Sequence, residues 1–123
     1  MKRIAVYGTL RKGGGLHDWV QGAEPLGTDQ VQGFDMYDIS GWYPAITKGE
    51  NTILVEVYEL DDEVADRISR MEEDANYTLV EVDTKFGQAT MYHMDKKYLS
   101  ERTPLVESGN WIEYFREKEP NYT

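Results

Sequence analysis

The sequence predicts an α+β domain: a small, mostly antiparallel β-sheet that closes into a barrel and is flanked by a few short helices. Three observations carry this. Several segments alternate apolar and polar residues at the two-residue period of a strand, only one segment keeps a helical period with a clear start, and the connections between them are short. No repeat, low-complexity tract or linker divides residues 1–123, so the whole chain reads as one domain.

Taken in order, Lys2 to Leu10 reads as a first strand, with Ile4, Val6 and, less clearly, Leu10 on one side of the pleat. Three consecutive glycines, Gly13 to Gly15, follow, and Leu16, Trp19 and Val20 share a helical spacing that suggests a short helix before Gly22 and Pro25. Leu26 to Ile39 suggests one or two strands, and "GWYP" from Gly41 to Pro44 reads as a loop into a short extended piece, Ala45 to Thr47. The segment "ILVEVYEL", Ile53 to Leu60, alternates Ile53, Val55 and Val57 with a mostly polar opposite face and is the clearest strand.

Asp61 or Asp62 then caps a helix by accepting backbone N–H bonds, and Val64, Ala65, Ile68 and Met71 form its apolar stripe. Tyr77 to Thr84 and Gln88 to Met94 read as a hairpin around Lys85, Phe86 and Gly87, and a last short helix spans Trp111 to Glu117. Trp111 is expected to dock that helix onto the sheet.

Composition narrows the function. The chain has 13 Lys plus Arg against 23 Asp plus Glu, a formal net charge of −10 that repels phosphate backbones and anionic lipids. Nucleic-acid and membrane partners are therefore not expected, and the oligomeric state is left open. Without cysteine, disulfide and thiolate chemistry drop out, and with only His17 and His93 a zinc site is not expected. No apolar run reaches the roughly 20 residues of a membrane span, and "MKRIAVYG" lacks the features of a secretory signal, so a soluble, cytoplasmic protein is expected.

Three features could carry chemistry. The first is "VYGTLRKGGG", Val6 to Gly15, where a strand breaks into glycines that bare backbone N–H groups for a carboxylate or phosphate. Its spacing matches neither a Walker loop nor a dinucleotide fingerprint, and taken alone it reads equally as a mobile surface loop. The second is Glu72 with Glu73 at the end of the capped helix. At about 100° per residue, Glu72 falls on the side of Ala65 and Ile68, and Glu73 falls with Asp66, Ser69 and Arg70. An inward carboxylate is desolvated and its pKa rises, which suits proton transfer near neutral pH; an ordinary glutamate reaching for water is the other reading. The third is a set of aromatic residues at strand ends or loops, Tyr7, Tyr37, Tyr43, Tyr77 and Trp111, which serve either as core and rim packing or as ligand contacts.

Together these pieces resemble a known family. "VYGTLRKG" at 6–13, "GFDMYDISGWYPAI" at 33–46, "VEVYEL" at 55–60, "ISRMEE" at 68–73, Tyr77 and "SGNW" at 108–111 are similar in order and spacing to the γ-glutamylcyclotransferase-like family. The resemblance covers most of the chain. It implies a small antiparallel β-barrel and a pocket for a γ-glutamyl substrate, with Tyr7, Gly8, Thr9 and Leu10 as binding loop, Tyr43 and Tyr77 nearby, and Glu72 as general acid/base. It further implies intramolecular attack of the substrate α-amine on its γ-carbonyl, releasing 5-oxoproline and an amine with no cofactor. The alternative is a non-catalytic module that binds γ-glutamyl or amino-acid-like ligands on the same scaffold. Two departures stand out: Leu79 occupies the position where many relatives carry Arg, and the loop between Glu72 and Tyr77 is short. Arg11 and Lys12 either attract an anionic substrate or serve solubility.

Overall fold

Strand β1 (Lys2–Val6) runs through the middle of a five-stranded sheet, with β3 (Tyr43–Leu60) antiparallel on one side and β5 (Gly87–Met94) parallel on the other. β2 (Glu24–Ile39) pairs with the outer side of β3, and β4 (Tyr77–Thr84) with the outer side of β5, giving the order β2-β3-β1-β5-β4. The computed structural model from which this is drawn describes residues 2–15, 17–20 and 22–118, the side chain of Lys118 excepted. Two α-helices accompany the sheet, α1 (Asp62–Asp74) and α2 (Trp111–Lys118), with short 3-10 turns at His17–Val20 and Lys96–Tyr98.

The sheet is mostly antiparallel, as expected, but it is not closed. No ladder joins β2 to β4 among the described residues, and this corrects the predicted barrel. The two edges meet through side chains instead: Asp29 Oδ2 on β2 accepts the Lys85 N–H of the β4–β5 turn at 2.9 Å. Gly27 has a φ of +141 and lies so close to the Phe86 ring that a Cβ there would collide with it. The β4–β5 turn thus meets β2 through the Phe86 ring and the Asp29 carboxylate.

Burial on both faces follows from the sequence of β1. Ala5 and Tyr7 join one core with Val31, Phe34, Met36, Val55, Val57, Met91 and Trp111. Ile4 and Val6 join a second core with Tyr58, Leu60, Ala65, Ile68, Tyr77 and Tyr92, against which α1 lies. The face of "ILVEVYEL" that reads as mostly polar carries Leu54, Tyr58 and Leu60 beside Glu56, and Tyr58 and Leu60 are buried in the second core. At roughly 25 cal/mol per Å² of apolar surface, these two cores supply the main driving force for folding.

Two strands are longer than their sequence signals. β2 is a single 16-residue strand with bulges between Pro25 and Gly27 and between Gln32 and Phe34. β3 joins the extended piece at 45–47 to the strand at 53–60, because Gly49, Glu50 and Asn51 bulge out opposite Gly33 without ending the ladder. Asp35 holds that bulge by accepting from Asn51 Nδ2 at 2.6 Å. β1 is shorter than expected, since its ladder stops at Val6 and Tyr7 to Leu10 turn over its end.

Helix α1 begins as predicted, with Asp61 Oδ1 accepting the Val64 N–H at 2.9 Å. Ala65 and Ile68 are buried, and Val64 and Met71 are half-buried. Trp111 is 2% exposed and stacks its ring near Tyr114 and Phe115, docking α2 into the first core. Gly109 has a φ of +66, and a side chain there would strike the Thr52 carbonyl, so the "SGNW" turn can pass this close to β3 only with glycine. Trp19 and Val20 fall in the first 3-10 turn, while Leu16 lies outside the described residues.

Candidate active site

A cavity of about 480 Å³ opens where four parts of the fold converge: the loop after β1, the β2–β3 turn, the last turn of α1 and the inner ends of β4 and β5. Tyr7, Gly8, Thr9, Leu10, Tyr43, Glu72 and Tyr77, all singled out from the sequence, line it together. Tyr37 and Trp111 do not; they sit in the sheet and in the first core.

The loop is held by its own turns and by close approaches. The Arg11 N–H donates to the Gly8 carbonyl at 2.9 Å, and the Gly14 N–H to the Arg11 carbonyl at 2.8 Å. Gly8 faces the Pro44 ring so closely that an added Cβ would overlap it, with the ring Cδ at 2.8 Å. Gly14 packs in the same manner on the Thr9 carbonyl, and Gly13 takes a φ of +92. Two of the three glycines are therefore required by the turn geometry, and the loop is a built element rather than slack.

Arg11 is not a surface charge and does not line the cavity. It is 7% exposed, with Nε 2.9 Å from Glu56 Oε2 on β3 and Nη1 2.9 Å from Asn110 Oδ1 at the start of α2. Glu56 Oε1 accepts the Lys12 N–H and the Tyr58 hydroxyl, each at 2.8 Å. Burial opposes the charge on Glu56, but the Lys12 N–H, the Arg11 guanidinium and the Tyr58 hydroxyl outweigh it and hold the carboxyl below its ordinary value.

The tyrosines are committed to backbone. The Tyr7 hydroxyl donates to the Tyr92 carbonyl at 2.7 Å, and the Tyr77 hydroxyl to the Pro44 carbonyl at 2.6 Å. Tyr77 thus ties β4 to the start of β3 and does not hydrogen-bond the glutamate. Burial above all, then neighbouring Tyr77 and Glu72, raises the Tyr7 pKa; burial, then Glu72 and Tyr43, raises that of Tyr77. Both stay protonated and neutral.

Glu72 sits in the last turn of α1 and faces the cavity, whereas Glu73 points to water. Desolvation raises the Glu72 pKa from 4.5 to about 7. The setting reinforces this, because a helix C-terminus is its negative end and the last turn of α1 carries no basic residue. Among the described residues, Glu72 is the one carboxylate lining the cavity, and no lining side chain is cationic.

Sequence reasoning missed Trp42, Pro44, Met71, Ala75 and Tyr92 as lining residues. Met71 and Ala75 could have been found as helical neighbours of Glu72. Tyr92 could not, because it reaches the cavity through a hydrogen bond with Ser69 and a position opposite Leu79, both set by strand pairing. Leu79 itself is 46% exposed and lies outside the cavity lining.

The family model for gamma-glutamyl cyclotransferase, AIG2-like proteins matches residues 4–113. The chain belongs to this family. Among its relatives is PH0828 of Pyrococcus horikoshii, 43% identical over 111 residues that cover 90% of this chain and 91% of the relative. The crystal structure of PH0828 superposes with a TM-score of 0.86 over the full length of both chains, at 39% identity. The gamma-glutamylcyclotransferase family protein YtfP of Escherichia coli K12 is 30% identical over 112 residues, 90% of this chain and 96% of YtfP. A more distant relative, 24% identical over 121 residues (93% of this chain, 78% of the relative), is the gamma-L-glutamyl-butirosin B gamma-glutamyl cyclotransferase of Niallia circulans. In this member of the cyclotransferase family, the fold frames a cavity lined by both a carboxylate, Glu72, and the glycine-containing loop after β1.

Proposed function

We propose that the protein is a cyclotransferase that acts on a γ-glutamyl amide or dipeptide and releases 5-oxoproline and an amine. The observation that carries this is the position of Glu72, a desolvated carboxylate that titrates near neutral pH across the cavity from the Tyr7–Leu10 loop.

In this reading the backbone N–H groups of Gly8, Thr9 and Leu10 lie beyond the end of the β1 ladder and bind the substrate's α-carboxylate or the oxyanion that forms at the γ-carbon. Tyr7 and Tyr77, fixed through their hydroxyls, shape the wall, and Tyr43 contacts the substrate at the mouth. The cavity folds the γ-glutamyl chain so that its α-nitrogen meets its own γ-carbonyl, and such positioning is worth roughly 7–11 kcal/mol in favourable cases. The α-ammonium first gives one proton to solvent, which frees its lone pair, and Glu72 takes a second proton from that nitrogen as the new N–C bond closes the five-membered ring. It then delivers that proton to the departing nitrogen as the old C–N bond breaks. One amide is exchanged for another, so neither a redox partner nor a cofactor enters the balance.

The test is 5-oxoproline release by the purified protein from a panel of γ-glutamyl amides, with Glu72→Gln in parallel. Release that falls by about 10²–10⁴-fold in the variant supports the reading. No release from any member of the panel, or full activity in Glu72→Gln, overturns it.

A further inference from the structure

The β2–β3 turn holds a tryptophan out in water at the rim of the cavity. Trp42 is 75% exposed and Tyr43 40%, and both line the cavity. A lone exposed aromatic residue calls for no explanation, but this one is held there by a costly turn. Ser40 and Gly41 take φ values of 56 and 78, and the left-handed region is uncommon for a serine. The Gly41 N–H donates to Asp38 Oδ1 at 2.7 Å and the Trp42 N–H to the Ile39 carbonyl at 3.0 Å. Asp38 is 2% exposed and accepts the Tyr114 hydroxyl of α2 at 2.7 Å on its other oxygen. Its N–H is bound to the Pro104 carbonyl at 2.9 Å. A buried carboxylate and a helix thus brace the turn from beneath, so that the indole is presented from a fixed backbone.

Met71, in the last turn of α1, and Ala75, its C-cap residue, line the same cavity as Trp42 and Tyr43 and flank Glu72 in the chain. At about 480 Å³ the cavity is in the size range that accepts drug-sized ligands, leaving room for a body beyond the γ-glutamyl group. The part of the substrate that extends past the γ-carbonyl, away from the Tyr7–Leu10 loop, would lie along this surface.

We propose that Trp42, with Tyr43, Met71 and Ala75, forms a subsite for the leaving portion of the substrate and selects amines that carry a flat apolar ring, so that γ-glutamyl conjugates of arylalkyl amines are the favoured class. The inference rests on the cyclotransferase reading for the identity of the bound group. A flat ring stacks on the indole and buries the apolar strip, whereas a small alkylamine leaves both wet.

The full chain is assayed with the γ-glutamyl conjugates of benzylamine, cyclohexylmethylamine and methylamine. The benzyl conjugate is expected to show a kcat/KM about tenfold above the methyl conjugate, carried by KM, with the cyclohexyl compound between them. Trp42→Ala should bring the benzyl-to-methyl ratio within about threefold, and Trp42→Phe should restore most of it. Equal values for all three conjugates, a cyclohexyl compound as good as the benzyl one, or a ratio that survives in Trp42→Ala overturns the proposal. If the wider γ-glutamyl panel releases product and none of these three does, the proposal is overturned; if nothing in either set releases product, the cyclotransferase reading has failed, and the subsite is judged by calorimetric binding of the same compounds. Binding of the benzyl conjugate about tenfold tighter than the methyl, lost in Trp42→Ala, supports the subsite; equal affinities or no binding of either overturns it.

Discussion

Arg11 and Glu56 form a buried ion pair, Nε to Oε2 at 2.9 Å with side chains 9% and 13% exposed, that fastens the loop after β1 to the middle of β3. The same carboxylate holds the Lys12 N–H, so one side chain fixes both the backbone and the side chain of the loop. Removing one partner of such a pair leaves the other charge buried without compensation. Glu56→Ala should therefore cost about 3–5 kcal/mol in urea unfolding, far above the typical surface salt bridge. A loss below about 1 kcal/mol would show that water replaces the carboxylate freely. The pH dependence has a definite sign: the folded Glu56 pKa lies below its ordinary 4.5, so its contribution is present above that value and lost as pH falls through the folded value. Glu56→Gln should flatten that acid limb of the stability curve.

Gly8 touches the Pro44 ring with no room for a methyl group. Gly8→Ala must push apart the loop and the start of β3, to which the Tyr77 hydroxyl is bonded through the Pro44 carbonyl. We expect a stability loss of about 1–3 kcal/mol and, at protein concentrations where the variant is fully folded, 5-oxoproline release reduced by more than about tenfold. Gly15→Ala is the comparison, because nothing lies within 4 Å of a Cβ at that position. Equal activity losses in the two variants would mean that the Gly8–Pro44 contact does not position the loop.

Much of this was readable in the chain before folding, and the exceptions have physical causes. The helix at 62–74, its Asp61 cap and the inward turn of Glu72 follow from local spacing, and the 3.6-residue period alone separates Glu72 from Glu73. The hairpin around Lys85 to Gly87 and the docking of Trp111 are also local signals. The continuity of β3 was hidden because "TKGENT" is polar and glycine-containing, a loop by composition that the Asp35–Asn51 bond turns into a bulge. Closure of the sheet was over-read, since strand count and short connections do not say whether the outermost strands pair. The fate of Arg11 depended on Glu56, 45 positions away, and no periodicity reports such a pairing. Tyr92 reaches the cavity through strand register, which is likewise non-local, and Trp42 does so because the β2–β3 turn folds beside elements distant in the chain.

Glu72 and Glu73 are adjacent in sequence and opposite in environment, so the same substitution should separate function from surface charge. Glu73→Gln should leave 5-oxoproline release within about twofold of the parent protein, as expected for an exposed side chain. A large loss there, with Glu72→Gln active, would assign the proton carrier to the wrong residue.

The pH response of Glu72 supplies a test that joins activity to stability. Its folded pKa, about 7, lies above its ordinary 4.5, so the folded state binds the proton more tightly than the unfolded one. Stability should therefore fall as pH rises from about 4.5 to about 7 and change little above that on account of this group. Removing the charge removes the penalty, and Glu72→Gln should be more stable than the parent by roughly 1–3 kcal/mol at pH 8, with the difference shrinking toward zero below pH 5. Activity should run in the opposite direction: kcat/KM of the parent rises through an apparent pKa near 7 as the carboxylate ionises. The variant should lack that limb and retain only a small residual rate. Unfolding curves and rate profiles collected over the same pH range check both halves. A Glu72→Gln protein that is less stable than the parent at pH 8 would show that the carboxylate is solvated or paired in the fold, and the desolvated proton carrier would lose its physical basis.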